Sequence, residues 1–204
     1  MQIRPALEAD WPSIWPFFRT VVDSGDSYAY PPDLDLASAR ELWMERPPGR
    51  TTVAVDDDGV VVGSAKMGPN RPGRGAHVAT ASFMVDPAVR RGGVGRALGV
   101  EMISWAREAG YRAIQFNAVV ETNTAAVALW RDLGFEIVGT VPEAFDHATR
   151  GLVGLHVMHM RLVQPRVTAR PTRGSTAAAD VSPPHAGDSA GVPTSRPRRR
   201  PARP

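Results

Sequence analysis

The chain contains no cysteine among its 204 residues, which removes disulfides, thiolate nucleophiles and cysteine-based zinc sites. That absence fits a reducing compartment. No stretch approaches the ~18 consecutive apolar residues that a membrane helix needs. Residues 1–15 show no basic segment followed by an unbroken apolar one. A cytoplasmic protein without a membrane partner is expected. Lysine is nearly missing as well: Lys66 stands alone, so the arginine excess partly reflects composition and says little about function. No internal repeat is found. The apolar fraction of 43% is enough to build a sizeable core.

Charge is unevenly placed. Residues 165–204 carry eight arginines against two aspartates, a net +6, which leaves residues 1–164 at −3 of the overall +3. The tail also holds eight of the nineteen prolines and no aromatic side chain. Such a segment cannot bury enough surface to offset its ordering entropy. The expected division is therefore a folded domain over 1–164 and a disordered, basic Pro/Arg-rich tail over 165–204. Arg198, Arg199 and Arg200 could touch nucleic acid or anionic lipid. A solvated appendage without a specific partner is the plainer reading.

Periodicity predicts a short strand over 2–4, then a helix capped by Asp10 with Ile14, Phe17, Phe18, Val21 and Val22 on one face. Pro16 should bend or delay that helix. A loop over 25–33 leads to a second helix over 36–45. Strands over 51–55 and 60–66 flank the hairpin signal Asp57-Asp58-Gly59. A strand over 77–85, a helix from about 95 to Gly110 and a strand over 112–120 follow. Asn123 then caps a helix ended by Gly134, and strands over 135–141 and 152–162 complete the chain. The order β-α-α-β-β-β-α-β-α-β-β predicts a mixed, mostly antiparallel α/β (α+β) sheet with one parallel crossover.

The segment from Phe83 to Leu98 runs from a buried strand through a glycine-rich turn into an amphipathic helix. Helix N-termini offer unpaired N–H groups and a positive dipole end, which suit phosphates. Gly93 and Gly95 allow close backbone approach, and Arg90, Arg91 and Arg96 add charge at the rim. A Walker A loop is excluded because Arg96 and Ala97 follow Gly95, where Lys-Ser/Thr is required. A dinucleotide fingerprint is half present at Gly93-Val94-Gly95 but has Leu98 in place of its last glycine. A plain connecting turn is the remaining alternative.

Arg90-Arg91-Gly92-Gly93-Val94-Gly95 resembles the cofactor motif Gln/Arg-x-x-Gly-x-Gly/Ala of the GCN5-related N-acetyltransferase (GNAT) superfamily. The stretch from Asn123 to Phe135 is similar to that family's second block, N-x-x-A-x-x-L-Y-x-x-x-G-F. The resemblance covers residues 1–162. It implies the GNAT fold, with a central sheet of six to seven strands, splayed central strands and four flanking helices. It also implies acetyl-CoA as co-substrate, no metal, and direct attack of a primary amine without a covalent enzyme intermediate. The backbone of Phe83, Met84 and Val85 would pair with the pantetheine arm, with an N–H near Val85 polarising the thioester carbonyl. Backbone N–H groups from Arg91 to Arg96 would hold the pyrophosphate. Asn123 would bond the arm with its amide, a role that can coexist with capping its helix.

One residue departs from the pattern. Trp130 stands where many members have the tyrosine that protonates the departing thiolate, and an indole N–H cannot yield its proton at useful pH. Either Trp130 only packs against the cofactor, or the acid lies elsewhere. The branch acting on small amines, such as amino acids or phosphinothricin-like compounds, often lacks that tyrosine too. In this fold the loop of Asp26, Tyr28 and Tyr30 covers the acceptor pocket, although loop tyrosines also simply pack on a domain. Glu121, just past a strand end, is a candidate general base or an ordinary surface acid. His147, between the last two strands, is a second candidate base. His156 and His159, three apart on a strand, face opposite ways and cannot chelate together. A non-catalytic acyl-CoA-binding module, an acetyltransferase acting on a protein amine, and a homodimer all stay open.

Overall fold

The computed structural model describes residues 1–89 and 92–162. These fall within one compact unit, Met1–Arg166. The tail expected over 165–204 lies outside the described residues, as do Arg90 and Arg91.

The elements run β1 (Gln2–Pro5), a 3-10 turn (Glu8–Asp10), α1 (Trp11–Asp23), α2 (Leu36–Trp43), β2 (Arg50–Val55) and β3 (Val61–Pro69). A second 3-10 turn (Gly73–Gly75) precedes β4 (Val78–Val85), α3 (Val94–Glu108), β5 (Ala113–Val120), α4 (Thr124–Asp132), β6 (Glu136–His147) and β7 (Gly151–Arg161). The strands form one sheet in the order β1-β2-β3-β4-β5-β7-β6. Every neighbouring pair is antiparallel except β4 and β5. This is the expected mixed architecture.

Strand alternation divides the core between the two faces of the sheet. On one face Val94, Leu98, Met102 and Ala106, at helical spacing along α3, pack with Ala65, Met67, Ala79, Ile114 and Phe116. On the other, Trp11, Ile14, Phe18 and Val22 of α1 pack with Trp43, Val53 and Met84. Each of the buried Val, Leu, Ile, Phe and Met side chains contributes about 1.5–3 kcal/mol. The Trp43 indole donates to the Ser64 hydroxyl at 2.9 Å, so α2 is tied to β3 by a satisfied buried bond.

Several local expectations change. Asp10 does not cap α1 with its side chain; its carboxylate takes two bonds from Arg4, each 2.7 Å, and one from the Leu7 N–H. Helix α1 passes through Pro16 without delay. So near the start, the missing N–H forfeits only one bond, to the Pro12 carbonyl. Helix α2 stops at Trp43, and its cap is Asp35, which accepts from the Ser38 N–H. Strand β6 is the largest revision. It continues past Val141 to His147, with irregular pairing at Ile137/Gly139 and Val141/Phe145. Pro142 is tolerated there because β6 is an edge strand. His147 therefore ends a strand and does not sit in a loop between strands.

Candidate active site

Parallel pairing of β4 with β5 consists of Val78 with Ala113 and Ala79 with Ile114. Beyond these the strands diverge, and a cleft of about 340 Å³ opens between them. Side chains reach it from both faces of the sheet: Tyr28 and Val21 from one, Phe116, Ala126 and Trp130 from the other. The gap thus passes through the sheet, with β4 backbone from Thr80 to Val85 along one wall.

The backbone of Phe83 faces this gap. Its N–H donates to the Tyr28 hydroxyl at 2.9 Å, and the same hydroxyl donates to its C=O at 2.6 Å. Strand alternation turns the backbone of Val85 the same way, while Met84 faces β3. Burial pushes the Tyr28 phenol above its usual range, helped by neighbouring Tyr30 and opposed by the bond to Phe83. It remains a neutral donor at any working pH. Tyr28 is fixed by stacking on Tyr30, centroids 5.4 Å apart, and Tyr30 stacks on Phe18 at 5.8 Å.

Val85, at the end of β4 in the cleft wall, stands beside the start of α3: a Cβ on Gly95 would lie 3.9 Å from its side chain. Gly93, its N-cap residue, has φ +67°, a left-handed conformation that glycine adopts without Cβ strain. Among the described residues no side chain caps α3, and no acidic residue stands in its first turn. The first N–H groups are thus left for an external anion, next to a positive dipole end. This fits a pyrophosphate held by backbone. The Arg96 side chain is directed elsewhere, to Asp132 at 2.7 Å, so its charge is largely compensated.

Trp130 is buried against Phe83 at 4.6 Å and Phe116 at 4.9 Å, and Phe116 stacks on Phe135 at 4.3 Å. Its ring forms the inner wall of the cleft. Asn123 caps α4 by accepting from the Ala126 N–H at 3.1 Å, which leaves its amide N–H₂ beside the cleft that it lines.

The acceptor-side candidates separate. His147 lines a side recess with Asp26, Ser27, Asn123 and Arg150; that recess meets the main cleft at Ser27 and Asn123. The His147 Nδ1 accepts from the Thr149 N–H at 3.2 Å, so a neutral ring in this arrangement carries its proton on Nε2. Asp26 accepts from the hydroxyls of Ser24 and Ser27, holding its own turn. Glu121 lines neither space. Its carboxylate accepts the Gly154 N–H at 2.6 Å while its own N–H donates to the Gly154 carbonyl, joining the end of β5 to β7. Among the described residues no cluster of potential metal ligands occurs, and no helix is long and apolar enough to cross a membrane.

Sequence reading did not single out Thr80, Ser82 or Asn117, which line the cleft. A usable signal existed: Gln115 and Asn117 interrupt the apolar Ile114 and Phe116 with period two, marking a polar face.

The profile of the Acetyltransferase (GNAT) family matches residues 9–135. A GCN5-related N-acetyltransferase from Kribbella flavida is 64% identical with a TM-score of 0.77, covering 79% of this chain and 97% of that one. The N-acetyltransferase aca1 of Schizosaccharomyces pombe is 32% identical over 97 residues, 48% of this chain; the chain spans only 46% of that relative's length. An L-methionine sulfoximine/L-methionine sulfone acetyltransferase of Pseudomonas aeruginosa is 32% identical over 145 residues, 69% of this chain and 83% of that protein.

Proposed function

The chain belongs to the acetyltransferase (GNAT) family, and from that premise we propose that it acetylates the primary amine of a small, amino-acid-like molecule. As a member it is an acyltransferase with acetyl-CoA as co-substrate. The observation that carries the reading is the gap between β4 and β5, lined by the Phe83 backbone and ending at the uncapped start of α3.

Acetyl-CoA supplies the thioester whose carbonyl carbon the amine nitrogen attacks, forming the C–N bond as the C–S bond breaks. The gap-facing backbone of Phe83 and Val85 would pair with the arm, Met84 between them being turned to β3, and the N–H near Val85 would polarise the carbonyl. The turn of Gly92, Gly93, Val94, Gly95 and Arg96 receives the pyrophosphate through its N–H groups; Arg90 and Arg91 flank it in sequence. Asn123 bonds the arm, and Trp130 packs against it. Tyr28 and Tyr30 border the acceptor. His147, which lines the side recess, is the candidate base for the amine proton; to accept at Nε2 its ring must hold its proton on Nδ1 and give up the contact from the Thr149 N–H, while Glu121 is engaged by Gly154. Trp130 cannot protonate the thiolate, so water in the cleft takes that part.

The small-amine preference draws on the Pseudomonas relative, whose name gives L-methionine sulfoximine and L-methionine sulfone as substrates. Thiol release from acetyl-CoA, followed over a panel of amino acids, methionine sulfone, phosphinothricin-like herbicides, polyamines and peptides, tests it. Turnover is expected with the amino-acid-like amines. Turnover confined to peptides would redirect the reading to a protein amine. Tight acetyl-CoA binding without turnover on any amine would make the chain a binding module, the reading that Trp130 favours.

A further inference from the structure

A second recess, about 360 Å³, adjoins the cleft and shares Thr80, Ala81, Ser82 and Asn117 with it. It lies on the α1/α2 face, under Tyr30 and the segment that follows α2. The charged side chains lining it are Glu45, Arg46 and Lys66.

Lys66, the only lysine in the chain, is the direct cross-strand partner of Ser82, one residue from Phe83. Its ammonium donates to the Leu42 carbonyl at 2.6 Å, lies 3.7 Å from the Glu45 carboxylate and sits 6.0 Å from the Trp43 ring centre. These contacts fix the position of the cation without using all three of its donors. Glu45 offsets one positive charge of the three-residue set. Arg46 is exposed and has no ion-pair partner among the described residues, with Glu8 and Glu41 on the far side, in the adjoining recess that it also lines, so its guanidinium is open to a carboxylate entering from the cleft. An entering carboxylate would be neutralised there, whereas a polyamine or a lysine side chain would meet like charge.

Resting on the acetyltransferase reading above, we infer that this recess is the carboxylate-binding part of the acceptor site. Arg46 takes the carboxylate directly, Lys66 supplies the second positive charge, and the amine extends past Ser82 towards Phe83. The two residues determine specificity for amines that also carry a carboxylate. Charge selection of this kind works by repelling cationic amines as much as by binding zwitterions.

Thiol release is measured for the wild type and Arg46→Gln with methionine sulfone and with the amine in which hydrogen replaces its carboxylate. Arg46 is exposed, so its replacement leaves the fold intact; Lys66→Met serves as a second variant, checked by thermal melting. The wild type should prefer the sulfone. Arg46→Gln should raise KM for the sulfone roughly tenfold to a hundredfold, as expected for losing a charge-assisted bond, and leave the carboxylate-free amine nearly unchanged. Equal changes for both compounds, no change for either, or a wild-type preference for the carboxylate-free amine would overturn the assignment while amine acetylation stands. No turnover by the wild type of any amine would overturn both.

Discussion

Tyr28 and Phe83, 55 residues apart, are joined through one hydroxyl that accepts the Phe83 N–H and donates to the Phe83 C=O. The phenol satisfies a stretch of β4 backbone that β5 has left unpaired. An acyl arm that pairs with the same groups has to displace it. Tyr28→Phe should therefore bind acetyl-CoA more tightly by calorimetry, by up to about tenfold, the equivalent of one net hydrogen bond of ~0.5–1.5 kcal/mol. Weaker binding would mean that the hydroxyl touches the cofactor and does not compete with it.

The start of α3 gives a sharper test of where the pyrophosphate rests. A Cβ at Gly95 would stand 3.4 Å from Leu129 and 3.9 Å from Val85, in ordinary contact, so a small side chain fits. Gly95→Ala should retain acetyl-CoA binding, whereas Gly95→Trp should fill the turn and abolish it. The measurement is the rise in Tm on adding acetyl-CoA: kept in the first variant, absent in the second. A full ligand shift in Gly95→Trp would move the phosphates away from this turn.

Glu121 and His147 have different surroundings, and their variants should separate accordingly. His147→Gln should lower kcat by roughly a hundredfold or more, the usual size of a general-base contribution, with little change in stability. Glu121→Gln should leave kcat nearly unchanged and act mainly on stability, because its carboxylate holds the Gly154 N–H. A large loss of kcat in Glu121→Gln, with His147→Gln unaffected, would reverse the two assignments.

Asp10 makes a separate prediction about acid stability. The bond from Arg4 holds its carboxyl below the usual carboxylate range, with burial opposing and the Leu7 N–H assisting. A depressed carboxylate stabilises the fold above its unfolded value, about 3.9, and that contribution fades as pH falls through the folded value. Asp10→Asn should lower stability at neutral pH by about 1–3 kcal/mol, the range for a charged hydrogen bond. The variant and the wild type should converge only as pH falls below the unfolded value and through the lower folded one, where Asp10 takes up its proton. Chemical denaturation at several pH values checks both points.

The order of helices and strands was legible from the chain because periodicity, caps and glycine turns are local. Val94, Leu98 and Met102 announce their helix, Asn123 its cap, and Gly93-Val94-Gly95 the phosphate turn. The resemblance carried by those two motifs led to the family. The length of β6 was not legible, because an edge strand accepts Pro142 and irregular pairing that look like a loop in sequence. The separate surroundings of Glu121 and His147, the Tyr28 bond to Phe83, and the meeting of Arg46, Lys66 and Ser82 also came only from the folded chain. Each joins residues distant in sequence through the divergence of β4 from β5 or the packing of α2 on β3. No local pattern encodes such a meeting; tertiary packing alone decides it.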